Sequence, residues 1–397
     1  MLRDPAVTET QASWLELSEA AYATNVAAFR GVAGPGRRLG AVLKGNAYGH
    51  GFTPMLALAH GRVDVLYVIR PSEALAIRAW EAAQGRSRRE VLVIGAVTPG
   101  ECVELARAGV QVVVASEDFR EVPAPLRAAG LTLQVHLHLD TGLSREGFTP
   151  EQLEAGAADF LAAAGDVLRL TGVLSHFANT EDVTEQAYAA QQLARFEEGL
   201  AALGARLPLP ATLQRHLAAS AATLVLPPAR LDAVRVGIAL YGLWPSTETR
   251  LSARVVLGQV PALEPVLAWR VRSQLVKSLP AGAYVGYGCT YRCGAPTRVA
   301  VLPVGYWDGY PRLASGVAHV LVGGRRCPVL GRVMMNHLIV DVTHAPAGEG
   351  PLTATLVGRD GPELLAAETL AGWAQTIHYE LLTRLGPHLE RRVLPQR

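Results

Sequence analysis

The feature that most constrains this chain is an alternation of two patterns. Eight short apolar or β-branched runs lie at residues 40–43, 63–69, 91–94, 110–115, 131–139, 168–174, 212–215 and 234–238, and longer amphipathic stretches separate them. The clearest helical patterns cover 73–84 and 184–203; in the second, Leu193, Phe196, Leu200 and Leu203 fall at helical spacing. Pro71 with Ser72 and Glu73, and Thr98 with Pro99, have the composition of helix starts. Nearly continuous apolar strands between helices belong to a parallel sheet covered on both faces. Eight such units within about 200 residues predict a closed (β/α)8 TIM-type barrel, an α/β fold, in preference to an open sheet.

Beyond residue 246 helical periodicity nearly vanishes until 364–373. Short strands at 267–276, 298–303, 318–322 and 338–342 alternate with Gly/Pro turns. The division expected is a disordered tail over 1–12, a barrel over 13–245 and a C-terminal β-rich domain over 246–397, to which 13–17 can supply a strand.

The 37 basic and 35 acidic side chains nearly cancel, so the one-signed field of a nucleic-acid binder is absent. Half the residues are apolar, which excludes a disordered chain. No uncharged apolar run approaches the ~20 residues that span a bilayer. The first twelve residues lack the layout of a secretion signal, so a cytoplasmic protein is expected. Cys102, Cys289, Cys293 and Cys327 form no disulfide framework and are read as reduced packing thiols. Among the 37 basic residues only Lys44 and Lys277 are lysine. Arginine does not give up its proton in a protein, whereas burial can turn lysine into a neutral nucleophile, so each surviving lysine invites a chemical reason.

Barrel chemistry sits on the loops that follow the strands. Lys44 follows the first strand, Asp140 and Arg145 the fifth, His176 the sixth, His216 and Ser220 the seventh, and Arg235 with Gly237 lies at the eighth. Desolvation at the mouth lowers the pKa of an amine, so Lys44 is a candidate for a Schiff base with a carbonyl compound. The backbone amides of Gly237 and Ile238 and the Ser220 hydroxyl are candidate phosphate donors. Gly34-Pro-Gly-Arg-Arg-Leu-Gly precedes a strand and is no dinucleotide fingerprint. His136 and His138, two apart on a strand, share a face and with His176, His216 and Asp140 form the candidate metal set of a barrel hydrolase. That alternative leaves Lys44 and the second domain without a role.

These residues also resemble a known family. Segment 41–51, Ala-Val-Leu-Lys-Gly-Asn-Ala-Tyr-Gly-His-Gly, resembles the pyridoxal-phosphate attachment segment of alanine racemases. The likeness recurs in order at 136–145, 172–178, 216–222, 234–242, 286–288, 302–309, 331–335 and 376–380, nearly the whole chain. It implies a barrel followed by a β domain, a homodimer, pyridoxal 5'-phosphate as cofactor, no metal, and interconversion of L- and D-alanine, a source of peptidoglycan precursors in a bacterium. Lys44 would carry the cofactor. Tyr48, Ser220, Gly237, Ile238 and Tyr379 would hold its phosphate, and Arg235, with His176 beside it, its pyridine nitrogen. Arg145 and the backbone of Met335 would hold the substrate carboxylate. Tyr287, reaching into the partner's barrel mouth, would be the second base, opposite Lys44; His138, His216, Tyr306 and Asn336 would be supporting positions.

The physical sense of this set is direct. Racemisation removes the α-proton from one face and returns one to the other, which two bases on opposite faces accomplish. A free tyrosine ionises near pH ~10 and needs cationic help as a base; Arg145 and the His176–Arg235 pair are the candidates. Arginine at the pyridine nitrogen can only donate, so that nitrogen stays unprotonated, the carbanion is less delocalised, and quick reprotonation is favoured.

Three residues depart from the family's pattern. His138 stands where many members have a lysine, often carbamylated, that orients the arginine equivalent to Arg145; Ala219 replaces a common Asn; and Asn336 replaces an Asp. The last change motivates an alternative, a broad-specificity or serine-type racemase. A decarboxylase on the same fold disagrees with Arg235, and a single-barrel cofactor carrier disagrees with the β domain.

Overall fold

The computed structural model describes residues 12–182, 184–346 and 350–396. Except for Ala12, the tail expected at 1–12 lies outside them. The chain forms two compact units, one of residues 22–44 and 56–264, the other of residues up to 21, 45–55 and from 265 onward. Among the described residues no helix is long and apolar enough to cross a membrane.

The first unit holds β1 (Arg38–Val42), β2 (Val65–Val68), β3 (Glu90–Val93), β4 (Gln111–Val114), β5 (Leu133–His138), β6 (Leu168–Leu174), β7 (Gln214–His216) and β8 (Ala233–Val236) in one parallel sheet of eight strands. Neighbours pair in sequence order, and β1 pairs with β8, Arg38 opposite Ala233 through Ala41 opposite Val236. Between β7 and β8 two backbone bonds replace a ladder, Asp232 N to Arg215 O at 3.1 Å and Arg235 N to Ala218 O at 2.9 Å. The result is a nearly closed barrel. Its strands are sealed by apolar residues on both faces: Val91, Leu92 and Val93 are completely buried, each contributing ~1.5–3 kcal/mol by leaving water. The helices start where Pro and small polar residues permit. Before helix Pro99–Arg107, Thr98 Oγ1 accepts from Glu101 N at 3.4 Å and Glu101 Oε2 accepts from Thr98 N at 2.8 Å, which satisfies amides that the first turn leaves open.

One strand pair is deliberately irregular. The β5–β6 ladder shifts register at Val135 and His136. Opposite it lies Gly172, where an added Cβ would fall 2.3 Å from His136 Nδ1. Only glycine admits that imidazole into the barrel.

Helix Thr247–Leu257 corrects the expectation that helical structure ends near 246. Ser246 caps it, its Oγ accepting from Thr249 N at 2.9 Å. Its buried residues are Thr249, Ser252 and Ala253, while Leu251, Val255 and Val256 are exposed. The apolar periodicity therefore points away from the buried face and hides the helix.

In the second unit, strand Ser13–Ser18 lies between Leu267–Arg272, antiparallel, and Glu390–Leu394, parallel. The same sheet continues through Thr353–Asp360 and His319–Val322. The single strand expected over 267–276 breaks at Ser273, whose N donates to Leu352 O at 2.7 Å and whose Oγ accepts from Leu352 N at 2.8 Å. The chain then joins a different sheet as Leu275–Leu279, beside Thr297–Leu302. The expected helix over 364–373 starts only at Ala367, because Glu363–Leu365 pairs with Thr353–Asp360. Cys102, Cys293 and Cys327 are buried as packing thiols; Cys289 is exposed and is not one.

Candidate active site

Lys44 leaves β1 one residue after the buried Leu43. Its side chain remains accessible, as one that meets a ligand must. Reduced hydration at the strand end, and then the charges of Arg145 and Arg235, hold its amine below the ordinary lysine range, against Glu181 and Glu146. Directly after it the backbone turns left-handed. Gly45, Asn46, Ala47 and Tyr48 have φ of 63°, 54°, 53° and 51°. Each non-glycine residue in that conformation costs roughly 1–2 kcal/mol, so the turn persists only because it is over-determined. Gly49 N donates to Gly45 O at 3.0 Å, Gly51 N to Asn46 O at 2.9 Å and Phe52 N to Asn46 Oδ1 at 2.8 Å. Gly49 itself lies so close to helix His378–Thr383 that an added Cβ would be 1.7 Å from Leu382 O. This turn buries Tyr48, whose ring centroid stands 6.2 Å from that of Tyr379.

Arg235 is the hub of the barrel group. It is buried, and burial pushes its pKa down to about 10, which leaves it cationic at neutral pH. Nη1 donates to His216 O at 2.5 Å and to His216 Nδ1 at 2.9 Å; Nη2 donates to Ser175 O at 2.6 Å and Leu217 O at 3.0 Å and lies 3.2 Å from His176 Nδ1. A guanidinium can only donate, and this orients the imidazoles behind it. His216 Nδ1 accepts, so its Nε2 carries the proton and donates to His136 Nδ1 at 2.7 Å. His136 Nε2 in turn donates to Gln111 Oε1 at 2.7 Å. Both rings are neutral: burial first, then Arg38 and Arg235, push His136 down to about 3, and burial with Arg235 drives His216 well below its usual value. His176 is held neutral in the same way, by burial and then Arg235, Arg145, Lys44 and His138. It cannot supply the positive charge expected of a His176–Arg235 pair; the arginine alone carries it.

The same bonds bear on the metal set. The lone pair of His136 is spent on the His216 proton, and that of His216 on Arg235. Among the described residues no group of three His, Cys, Asp or Glu is arranged to hold a metal ion.

Ser220 Oγ accepts from Gly237 N at 3.0 Å, joining the ends of β7 and β8. Ile238 begins a buried turn, Ile238–Tyr241, in which Tyr241 Oη donates to Val42 O at 2.9 Å. After β5, Arg145 reaches into the open and donates to Glu146. His138 is buried, and its ring is pushed down to about 3 by burial, Arg235 and Arg145.

Lys44, His138, Arg145, His176, His216, Ser220, Arg235, Gly237 and Ile238 thus belong to the barrel unit, and Tyr48, Tyr287, Tyr306, Met335, Asn336 and Tyr379 to the other. There, Tyr306 N donates to Met334 O at 3.1 Å and Trp307 N to Met335 O at 3.0 Å, which ties the 306–307 and 334–335 segments together. Tyr287, Met335, Tyr306 and Asn336 are exposed, Tyr287 to 72%. The sequence reading missed the partnership of His136 with His216 and Gln111, which no spacing in the chain announces, and it missed Glu146, an acidic residue with no pattern around it.

The geometry agrees with what the chain matches. Residues 17–245 match the family model of the alanine racemase N-terminal domain, and residues 266–393 that of the C-terminal domain. The alanine racemase of Leptospira interrogans is 36% identical over 98% of this chain and 97% of that protein. Among solved structures, the alanine racemase of Streptomyces lavendulae superposes with a TM-score of 0.87, at 34% identity over 98% of this chain and 99% of that one. A histidine racemase from Leuconostoc mesenteroides superposes at 0.84, with 27% identity over 98% of this chain and 99% of that one. A barrel with a lone lysine at its first strand end, an arginine fixed at its last, and matches to both domain models along nearly its whole length place the chain in the alanine racemase family.

Proposed function

We propose that this protein is a pyridoxal-phosphate-dependent racemase that interconverts L- and D-alanine as a cytoplasmic homodimer. The observation that carries the reading is the place of Lys44, at the end of the first barrel strand and in the same unit as Arg145 and Arg235, whose charges bear on its amine. The donor set suits the cofactor. Lys44 offers the amine; Arg235, with His176 beside it, offers a permanent donor to an acceptor nitrogen; Ser220, Gly237, Ile238, Tyr48 and Tyr379 are assigned to the phosphate. When bound, the cofactor supplies the electron sink that acidifies the substrate's α-proton.

The chain's own residues do the rest. Arg145 binds the substrate carboxylate as a charged fork, and the backbone of Met335 is assigned to the same carboxylate. Lys44, its amine held below the ordinary lysine range, moves the α-proton on one face, and Tyr287 of the partner subunit moves it on the other. Arg235 stays cationic and donates, so it gives no proton to the ring nitrogen. The neutral His216 and His136 behind it accept and pass on hydrogen bonds without adding charge.

Absorbance of the purified protein with pyridoxal phosphate, borohydride trapping and peptide mapping test the reading, together with racemisation followed by circular dichroism. Lys44→Ala is expected to lose the chromophore, and Tyr287→Phe to keep it while losing more than about 10²-fold in kcat. Trapping on any other residue, or full activity without Tyr287, overturns it. A second reading, a racemase of broader range, rests on Asn336; a panel of L-amino acids decides it, faster turnover of any other amino acid than alanine favouring the second.

A further inference from the structure

The loop after β5 contains a carboxylate to which the proposed chemistry assigns no role. Glu146 follows Arg145 directly, and its Oε1 accepts from Arg145 Nε at 3.2 Å and Nη2 at 2.9 Å. The same oxygen stands 3.9 Å from His138 Nδ1, a buried nitrogen with no hydrogen-bond partner. A guanidinium, a carboxylate and an imidazole are therefore successive neighbours, from the open side of the loop into the barrel. Side-chain exposure falls in that order, from 56% at Arg145 to 26% at Glu146 and 4% at His138.

The carboxylate is held by its backbone neighbours. Gly147 N donates to Ala115 O at 3.0 Å, and Phe148 N to His138 O at 2.9 Å, so the two residues after Glu146 are fastened to the ends of β4 and β5. On the other side Asp140 Oδ1 accepts from Gly142 N at 2.9 Å and from Ser144 N at 3.1 Å. An exposed ion pair contributes little stability, so stability does not account for this one. What the contact does is geometric. It occupies Nε and one edge of a planar fork, which leaves Nη1 and the outer edge of the guanidinium turned elsewhere, and it cuts the rotamer freedom that Arg145 would lose on binding a ligand.

We propose that Glu146 is a positioning residue that fixes the free edge of Arg145 for the substrate carboxylate, with His138 backing it from inside the barrel. The proposal rests on the assignment of Arg145 to that carboxylate. It gives a place to the buried imidazole at 138: its Nδ1 stands 3.9 Å from Glu146 Oε1, and a neutral ring brings no second positive charge beside Arg145.

The test uses the holoenzyme, with alanine as substrate and propionate, the carboxylate half of alanine, as a binding probe. Glu146→Ala removes the acceptor; it is expected to raise KM for alanine and Kd for propionate about tenfold, the size of one charged hydrogen bond, with kcat within about threefold. Glu146→Gln keeps an acceptor oxygen and is expected to recover most of both. An unchanged KM and Kd in Glu146→Ala, a fall in kcat alone, or no recovery in Glu146→Gln overturns the proposal. If the wild type binds propionate in a Glu146-dependent way yet does not turn over alanine, the positioning role stands and the alanine reading falls. If the wild type does not bind propionate, the positioning role falls.

Discussion

Arg235 shows how one side chain sets the chemistry of several. Five acceptors converge on it, and its refusal to accept a hydrogen bond propagates through His216 and His136 to Gln111. Lysine in its place keeps the charge but offers three donors on a flexible stem. Arg235→Lys is therefore expected to leave at least two buried acceptors unpaired and to cost about 2–4 kcal/mol, read as a lower denaturant midpoint. An unaltered midpoint would mean that the network is not coupled to folding. Lys44, Arg145 and Arg235 were legible as residues because their types are chemically distinctive and they stand at strand ends. Glu146 was not legible, because its role depends on the loop folding back to β5, which no local pattern encodes.

Among the elements, the left-handed turn over 45–48 is the clearest case of local conformation set from outside. Asn46, Ala47 and Tyr48 disfavour it intrinsically, and it is held by the bonds of Gly49 and Gly51 and by the approach to Leu382. Gly49 has φ of 81° and no room for a side chain. Gly49→Ala is expected to destabilise the fold by roughly 3 kcal/mol or more and to displace Tyr48. Thermal unfolding checks the first effect, and affinity for pyridoxal phosphate the second; a variant with unchanged stability would show that the turn yields at little cost. The eight barrel strands were readable because both of their faces are buried, which makes them continuous apolar runs. Helix Thr247–Leu257 was not, since its small polar residues face inward and its apolar residues outward.

At the scale of the whole molecule, the buried histidines make stability depend on pH. His50 is pushed down to about 4, and His136 and His138 to about 3, in each case by burial first. In the unfolded chain they titrate near 6.5. Below that value the unfolded state binds more protons than the folded one, so stability is fully present above pH ~6.5 and is lost as pH falls toward the folded values. Each histidine contributes a slope that starts near pH ~6.5, approaches about 1.4 kcal/mol per pH unit roughly a unit below it, and fades toward its folded value. Denaturant midpoints measured from pH 7 to 4.5 are expected to fall steeply; a flat profile would show that these rings are hydrated in the folded state. The amino-acid order by itself determined the barrel, the β-rich second part and the chemical identity of the groups at the strand ends, because burial and residue type act over a few positions of the chain. Only the tertiary structure decided which way each imidazole points, that His176 is uncharged, that residues 45–55 pack with the C-terminal unit and that Glu146 grips Arg145, because each of these follows from hydrogen bonds and desolvation imposed by residues distant in sequence or brought close by a returning loop.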